Sequence, residues 1–194
     1  DVYKRQDPDA QVQTTPQVGG AAARRRVTTV TTIHPLLSGR WSPHDFDPEH
    51  VVAPATVDAL LEAARWAPSG RNSQPWTFIT GLRGDATHAR LLPFVAGWSD
   101  WAVDAGLLVV SILESTELPF GLYDVGGAVA HLTIEAEARG LHVRQFATYD
   151  RAGLSAEFGI EPPRRALTML AVGVAAPGVP LPERERKPLG DLRG

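Results

Sequence analysis

The sequence predicts a fold that mixes α and β elements, with strands and helices interspersed along the chain. Two observations carry this. Continuous apolar runs at Leu107–Leu113 and 166–174 read as buried strands, while Val57, Leu60, Leu61 and Ala64, and again Val125, Val129, Leu132 and Ala136, recur at helical spacing. Gly and Pro separate these segments, and no internal repeat is visible.

Taken in order, the first 35 residues contain no Leu, Phe, Trp or Met and carry an Arg24–Arg25–Arg26 cluster. Such a stretch buries too little apolar surface to offset the entropy of ordering it, so residues 1–35 are expected to be a flexible or non-native tail and 36–194 the folded domain. The first long helix lies between Pro54 and Pro68. Residues 68–75 form a polar loop, and 76–80 are a β-branched and aromatic strand that Gly81 ends. A helix over 85–92 precedes the first apolar strand. Asp124 is expected to cap the next helix and Gly140 to stop it. Ala128, Ala130, Ala136 and Ala138 keep that helix small-sided, as close packing on another helix requires. A strand over 141–146, a short helix over 154–158, a Pro162–Pro163 linker and the second apolar strand complete the domain, before a Pro-rich, charged ending.

Composition narrows the function. Hydrophobic residues are 43% and charged residues 21%, a globular balance. A net charge of -3 gives no electrostatic footprint for nucleic acid or an anionic membrane, so neither is expected as a partner. The absence of cysteine excludes disulfides, thiolate metal sites and a cysteine nucleophile. No apolar run has bilayer length, and the expectation is a soluble, cytoplasmic domain. Phosphate-loop, dinucleotide-fingerprint and nucleophile-elbow motifs are missing. His131 and Glu135 lie four apart on a helix but lack a third ligand, so no metal is expected. Ser69 has no neighbouring His or Asp to activate it. Gly126–Gly127, one turn into a helix, suggest a close backbone approach rather than a phosphate loop.

Three segments carry chemistry. In Arg40-Trp41-Ser42-Pro43-His44-Asp45-Phe46, a guanidinium fork and a hydroxyl two residues apart can grip a phosphate, although an ordinary surface arginine would look the same. Between Ala63 and Trp76 a helix runs into a loop in which Ser69, Asn72 and Gln74 offer hydrogen bonds to the edge of a heterocycle. Arg184-Glu185-Arg186-Lys187-Pro188-Leu189 is either a second anion grip or a solvated basic tail.

With these segments in order, the chain resembles the FMN-dependent nitroreductase superfamily from about Pro35 to Leu189. The family's R-x-S-x-R-x-F opening is similar to Arg40-x-Ser42-x-His44-x-Phe46, and its A-R-W-A-P-S-x-x-N-x-Q-P-W block stands complete from Ala64 to Trp76. Its D-x-G-x-A helix start resembles Asp124-x-Gly126-x-Ala128, followed by Gly140-Leu141, and its R-x-R-K-P-L ending resembles Arg184–Leu189. The resemblance implies a nitroreductase-like α+β fold with a central, mostly antiparallel sheet flanked by helices, and a homodimer with FMN at its interface. It implies that Arg40, Ser42, Arg186 and Arg184 hold the FMN phosphate, with Trp41 and His44 in the same segment. Pro68, Ser69, Gly70 and Asn72 would reach the flavin from the partner subunit, and the backbone of Ala147 and Thr148 would lie near flavin N5.

The implied activity is a ping-pong transfer of hydride from NADH or NADPH through FMN to a nitroaromatic, quinone or similar small conjugated acceptor, with no catalytic side chain required. Trp41, Trp98, Trp101, Phe120 and Phe146 are candidate stacking walls as well as core residues. Two departures stand out. His44 replaces the family's second basic residue, so weaker stabilisation of the anionic reduced flavin is expected. Thr148 replaces a glycine and narrows the space above the ring. They leave a non-catalytic FMN carrier or sensor as an alternative, alongside a cofactor-free interaction module and a flavin enzyme for a specific metabolite oxidation or dehalogenation.

Overall fold

The computed structural model describes residues 32–193. The expected tail therefore lies, over 1–31, outside the described residues. Helix α1 (Pro35–Gly39), which the sequence reading did not contain, opens the described chain. It is followed by α2 (Pro54–Arg65), β1 (Trp76–Leu82), α3 (Ala86–Val95), β2 (Leu107–Leu113), α4 (Gly121–Ala138), β3 (His142–Phe146), α5 (Arg151–Glu157) and β4 (Arg165–Gly173). The fold is α+β: one four-stranded antiparallel sheet in the order β1-β2-β4-β3, with helices on both faces.

Both faces of β2 are buried, which explains its unbroken apolar sequence. Leu107, Val109 and Leu113 face α2 and α4 and join Leu60, Leu132 and Leu170 in one core. Leu108, Val110 and Ile112 face the opposite way, joining Leu91 and Val95 of α3 and Leu154 of α5 in a second. Each such leucine contributes about 1.5–3 kcal/mol on burial. Helix α4 packs on α2 through Ala128 and Ala136, which are buried, whereas Ala130 and Ala138 are exposed.

Four expectations are corrected. Helix α4 begins at Gly121, with Phe120 at the cap position, so Asp124 lies inside the first turn and caps nothing. Its carboxylate is buried and reaches across to a loop instead. Strand β1 runs through Gly81 to Leu82, because the missing side chain is what admits α3. A Cβ there would lie 2.7 Å from the backbone of His88. Helix α5 starts three residues early, since Asp150 accepts a hydrogen bond from the Gly153 amide and caps it. Gly126 and Gly127 meet no close neighbour: within the described chain, no atom lies within 4 Å of a Cβ built at either. Gly140, at φ 74°, ends α4 as expected.

Candidate functional site

Helix α4 borders three concavities, and the predicted residues distribute themselves among them. The first, of about 370 Å³, lies between α4, β3 and the segment after α1, and is lined by Leu37, Arg40, Ser42, Gly126, Val143 and Gln145 among others. Arg40 Nη1 donates to Ser42 Oγ at 3.3 Å, and that hydroxyl donates to the Val143 carbonyl at 3.0 Å. Ser42 thus ties the arginine to the end of the sheet. The C-terminal arm returns to the same place, where Arg184 Nη1 donates to the carbonyls of Gly39 (3.2 Å) and Arg40 (2.9 Å). Arg184 and Arg186 line a smaller hollow of about 230 Å³ with Leu37, which also borders the first cavity. Three guanidiniums and a hydroxyl from opposite ends of the chain therefore gather around α1, a donor set suited to a phosphate.

The second cavity, of about 380 Å³, shares Gly126 and Gln145 with the first, so the two form one groove along α4. Its floor is polar. Ser111 Oγ lies 2.9 Å from Thr168 Oγ1, which accepts from Gln145 Nε2 at 2.8 Å. Leu122 and Val125 form an apolar wall. This groove fits a flavin mononucleotide in kind: a cation and a hydroxyl at one end, amide and hydroxyl groups along the floor, and a helix surface without a side chain at Gly126.

The third concavity, of about 290 Å³, lies at the start of α4 and is lined by Gly70, Arg71, Phe120 and Asp124 among others. The loop that enters it is strained. Arg71, Asn72 and Gln74 all take positive φ (55°, 56° and 45°), a region disfavoured for side chains other than Gly. Internal bonds hold it: Ser69 Oγ accepts from the Gln74 amide at 3.0 Å, and Asn72 Oδ1 accepts from Gln74 Nε2 at 3.1 Å. The Gly70 amide donates to Asp124 Oδ2 at 3.1 Å, fastening the loop to α4. Pro68, Ser69 and Asn72 line neither half of the groove.

The remaining candidates are placed as follows. Trp41 is half-buried with its ring 5.0 Å from that of His142. His44 is exposed, 3.6 Å from Asp45 and 5.8 Å from the Trp101 ring, and lines neither half of the groove. Ala147 and Thr148 follow β3 and are exposed, and the Thr148 carbonyl accepts from Ser99 Oγ at 2.8 Å. Of the aromatic walls, Phe146 is buried and packs edge-on against Trp101, whereas Trp98 and Phe120 are exposed. Glu135 accepts from Arg139 Nε at 2.7 Å, and among the described residues no three His, Asp or Glu side chains come together as a metal site would require.

Sequence reasoning missed Gln145, Thr168, Arg151 and Arg165, all of which line the groove. One signal was present: Gln145 shares a strand face with the buried Val143, two residues away.

Comparison with known proteins bears on the fold. Residues 37–111 match the model of the Nitroreductase family. A solved oxidoreductase containing FMN superposes with a TM-score of 0.76 at 23% identity, covering 84% of this chain and 91% of that one. The chain carries the nitroreductase fold. A nitroreductase family protein from Clostridium difficile 630 shares this fold at a TM-score of 0.69 and 19% identity, over 84% of this chain and 98% of that one. So does a mutant of the FMN and NADPH-dependent nitroreductase NfnB from sphigopyxis sp. strain HMH, at 0.68 and 18% over 81% and 95%. In sequence, 61 residues are 38% identical to the major NAD(P)H-flavin oxidoreductase of Aliivibrio fischeri, which is 30% of this chain and 28% of that relative. The nitroreductase resemblance read from the four motifs is thereby borne out. Among the described residues no helix is long and apolar enough to cross a membrane.

Proposed function

We propose that the protein is an FMN-dependent oxidoreductase that passes hydride from NADH or NADPH to a nitroaromatic, quinone or similar conjugated acceptor. The observation that carries the reading is that Arg40 and Ser42 line one end of a groove whose floor is Gln145 and Thr168, while Arg184, bonded to the Arg40 carbonyl, and Arg186 line the hollow that adjoins it at Leu37. When bound, FMN would supply the hydride chemistry, taking hydride at N5 and returning it to the acceptor. The chain's own work is positioning. Arg40, Arg184 and Arg186 would neutralise the phosphate, and Ser42 would hold Arg40 against the sheet. Gln145 would hydrogen-bond the flavin edge, and bare Gly126 would let the ring lie against α4.

Because Pro68, Ser69 and Asn72 are absent from their own protomer's groove, their assignment to the flavin requires a second protomer, with Gly70 moving with them. A homodimer is accordingly part of the proposal. Tyr123, 82% exposed on α4 beside the groove, provides apolar surface for the contact. The cytoplasm, where reduced nicotinamide is available, is the compartment this reading calls for.

The position of His44 outside the groove supports a second reading, a non-catalytic FMN carrier or sensor, since the flavin would then lack a basic partner from that residue. An anaerobic absorption spectrum of the protein with FMN, before and after NADH and then NADPH, separates the two. Bleaching of the bound flavin supports the reductase, bound flavin that stays yellow supports the carrier, and no bound flavin overturns both. Arg40→Ala and Arg186→Ala should each weaken FMN binding about tenfold or more, and unchanged flavin content in both would refute the phosphate assignment.

A further inference from the structure

Strand β4 carries an irregularity that decides which way its first residues face. Ser111 pairs with Thr168, but the next residue, Ile112, pairs with Ala166, so Leu167 is an extra residue opposite a regular β2. Leu167 packs with the core on the α4 side, as do Leu170 and Val172, while Ala166 lies in the opposite core with Met169. The bulge therefore reverses the alternation beyond it. With unbroken pairing Ala166 would sit opposite Leu113 and Arg165 would face α3 and α5. With the bulge Arg165 sits opposite Leu113, on the α4 face, and lines the groove. Bulges re-aim side chains in this way beside functional sites.

Arg151 joins it there. Its Nη2 donates to the carbonyl of the bulged Leu167 at 2.9 Å, and its Nε donates to Tyr149 Oη at 3.3 Å. These contacts fix the guanidinium without neutralising it. Among the described residues, the Arg165 guanidinium takes part in no side-chain hydrogen bond or ion pair, and neither Asp nor Glu lines this half of the groove. The neighbouring acid, Glu114, pairs with Arg164 instead, at 3.3 Å. One end of the groove thus holds two uncompensated guanidiniums beside an apolar wall of Leu122 and Val125, distinct from the hollow that Arg184 and Arg186 line.

We propose that Arg151 and Arg165 form an anion subsite that binds a carboxylate on the acceptor, so that the preferred acceptors are conjugated aromatic acids. The apolar wall takes the ring and the guanidiniums take the charged group. This rests on the flavin reading above and specifies the substrate class of the same groove.

The test compares 4-nitrobenzoate with its neutral methyl ester on the FMN-loaded full chain, using kcat/KM with NADH, and measures benzoate and benzamide binding to the oxidised protein by flavin spectral perturbation. The wild type is expected to favour the acid over the ester, and benzoate over benzamide, by about tenfold or more, in line with a charge-assisted pair. Arg165→Gln should collapse both ratios, and Arg165→Lys should retain most of each. Equal handling of acid and ester by wild-type protein that reduces the ester well overturns the subsite and leaves the flavin reading intact. Failure of the bound flavin to be reduced by either nicotinamide overturns the reductase reading, and the acceptor subsite with it. If Arg165→Gln raises KM for NADPH and not for NADH while both ratios persist, the anion is the dinucleotide's phosphate and the acceptor assignment is wrong.

Discussion

Replacing Asp124 tests how the polar loop is held against α4. Its carboxylate is only 6% exposed, accepts the Gly70 amide at 3.1 Å, and lies in the first turn of a helix whose amide dipoles favour a negative charge. A hydrogen bond to a charged acceptor contributes about 1.5–3 kcal/mol, and the helix dipole about 0.3–1 kcal/mol more. Against this, Gly70 is exposed, so its amide regains water when the carboxylate is gone, and burying the acid itself costs energy that alanine avoids. Asp124→Ala should therefore cost about 2 kcal/mol, which for a domain of this size is a fall in Tm of about 4–8 °C. Asp124→Asn keeps an acceptor oxygen and loses the charge, so it should fall between wild type and alanine. Thermal unfolding followed by circular dichroism measures the ladder, and FMN titration of the same proteins shows whether the loosened loop weakens flavin binding. A Tm for Asp124→Ala within about 1 °C of wild type, or an asparagine variant as damaged as alanine, would refute the anchoring role.

Two further substitutions probe the opposite face of the sheet. Gly81→Ala places a Cβ 2.7 Å from the His88 backbone and 3.0 Å from Leu91 Cδ1, so α3 must move off β1. Overpacking of this kind costs about 1–3 kcal/mol, and a urea midpoint equal to that of wild type would show that α3 shifts freely. His88 is buried with Nε2 unpartnered. Burial lowers its pKa, Arg83 adds to the shift and Asp85 opposes it. The folded state thus resists the proton that the unfolded chain accepts. Stability is complete above the ordinary histidine pKa and declines as the pH falls through it toward the lower folded value. The Tm of the wild type should fall between pH 7.5 and 5, and His88→Leu should flatten part of that slope; an identical slope would assign the acid sensitivity elsewhere.

Several elements were legible because local chemistry dictates them. Pro54 opens α2, Gly140 closes α4, and the apolar runs of β2 and β4 are strands buried on both faces. The complete block from Ala64 to Trp76 marked the loop that the structure finds strained. Errors arose where a distant partner overrode a local rule. Asp124 looks like a cap, but its carboxylate is taken by Gly70, 54 residues away in sequence. Gly81 looks like a strand end, but α3 needs the space. The groove floor was invisible for the same reason, since Gly126, Gln145, Thr168 and Arg165 become neighbours only through sheet pairing. The orientation of Arg165 depends further on a one-residue register shift that no periodicity in β4 announces.

The attachment of Ser42 to the Val143 carbonyl has a consequence beyond ligand binding. Strand β3 is an outer strand of the sheet, and an outer strand with free backbone groups is a template on which another unfolded or misfolded chain can grow. Ser42 occupies one of those carbonyls, and Trp41 covers His142 beside it. The segment that steadies Arg40 therefore also shields the sheet from self-association. Disrupting it opens a route to aggregation, so a variant there should lose monodispersity with time in solution.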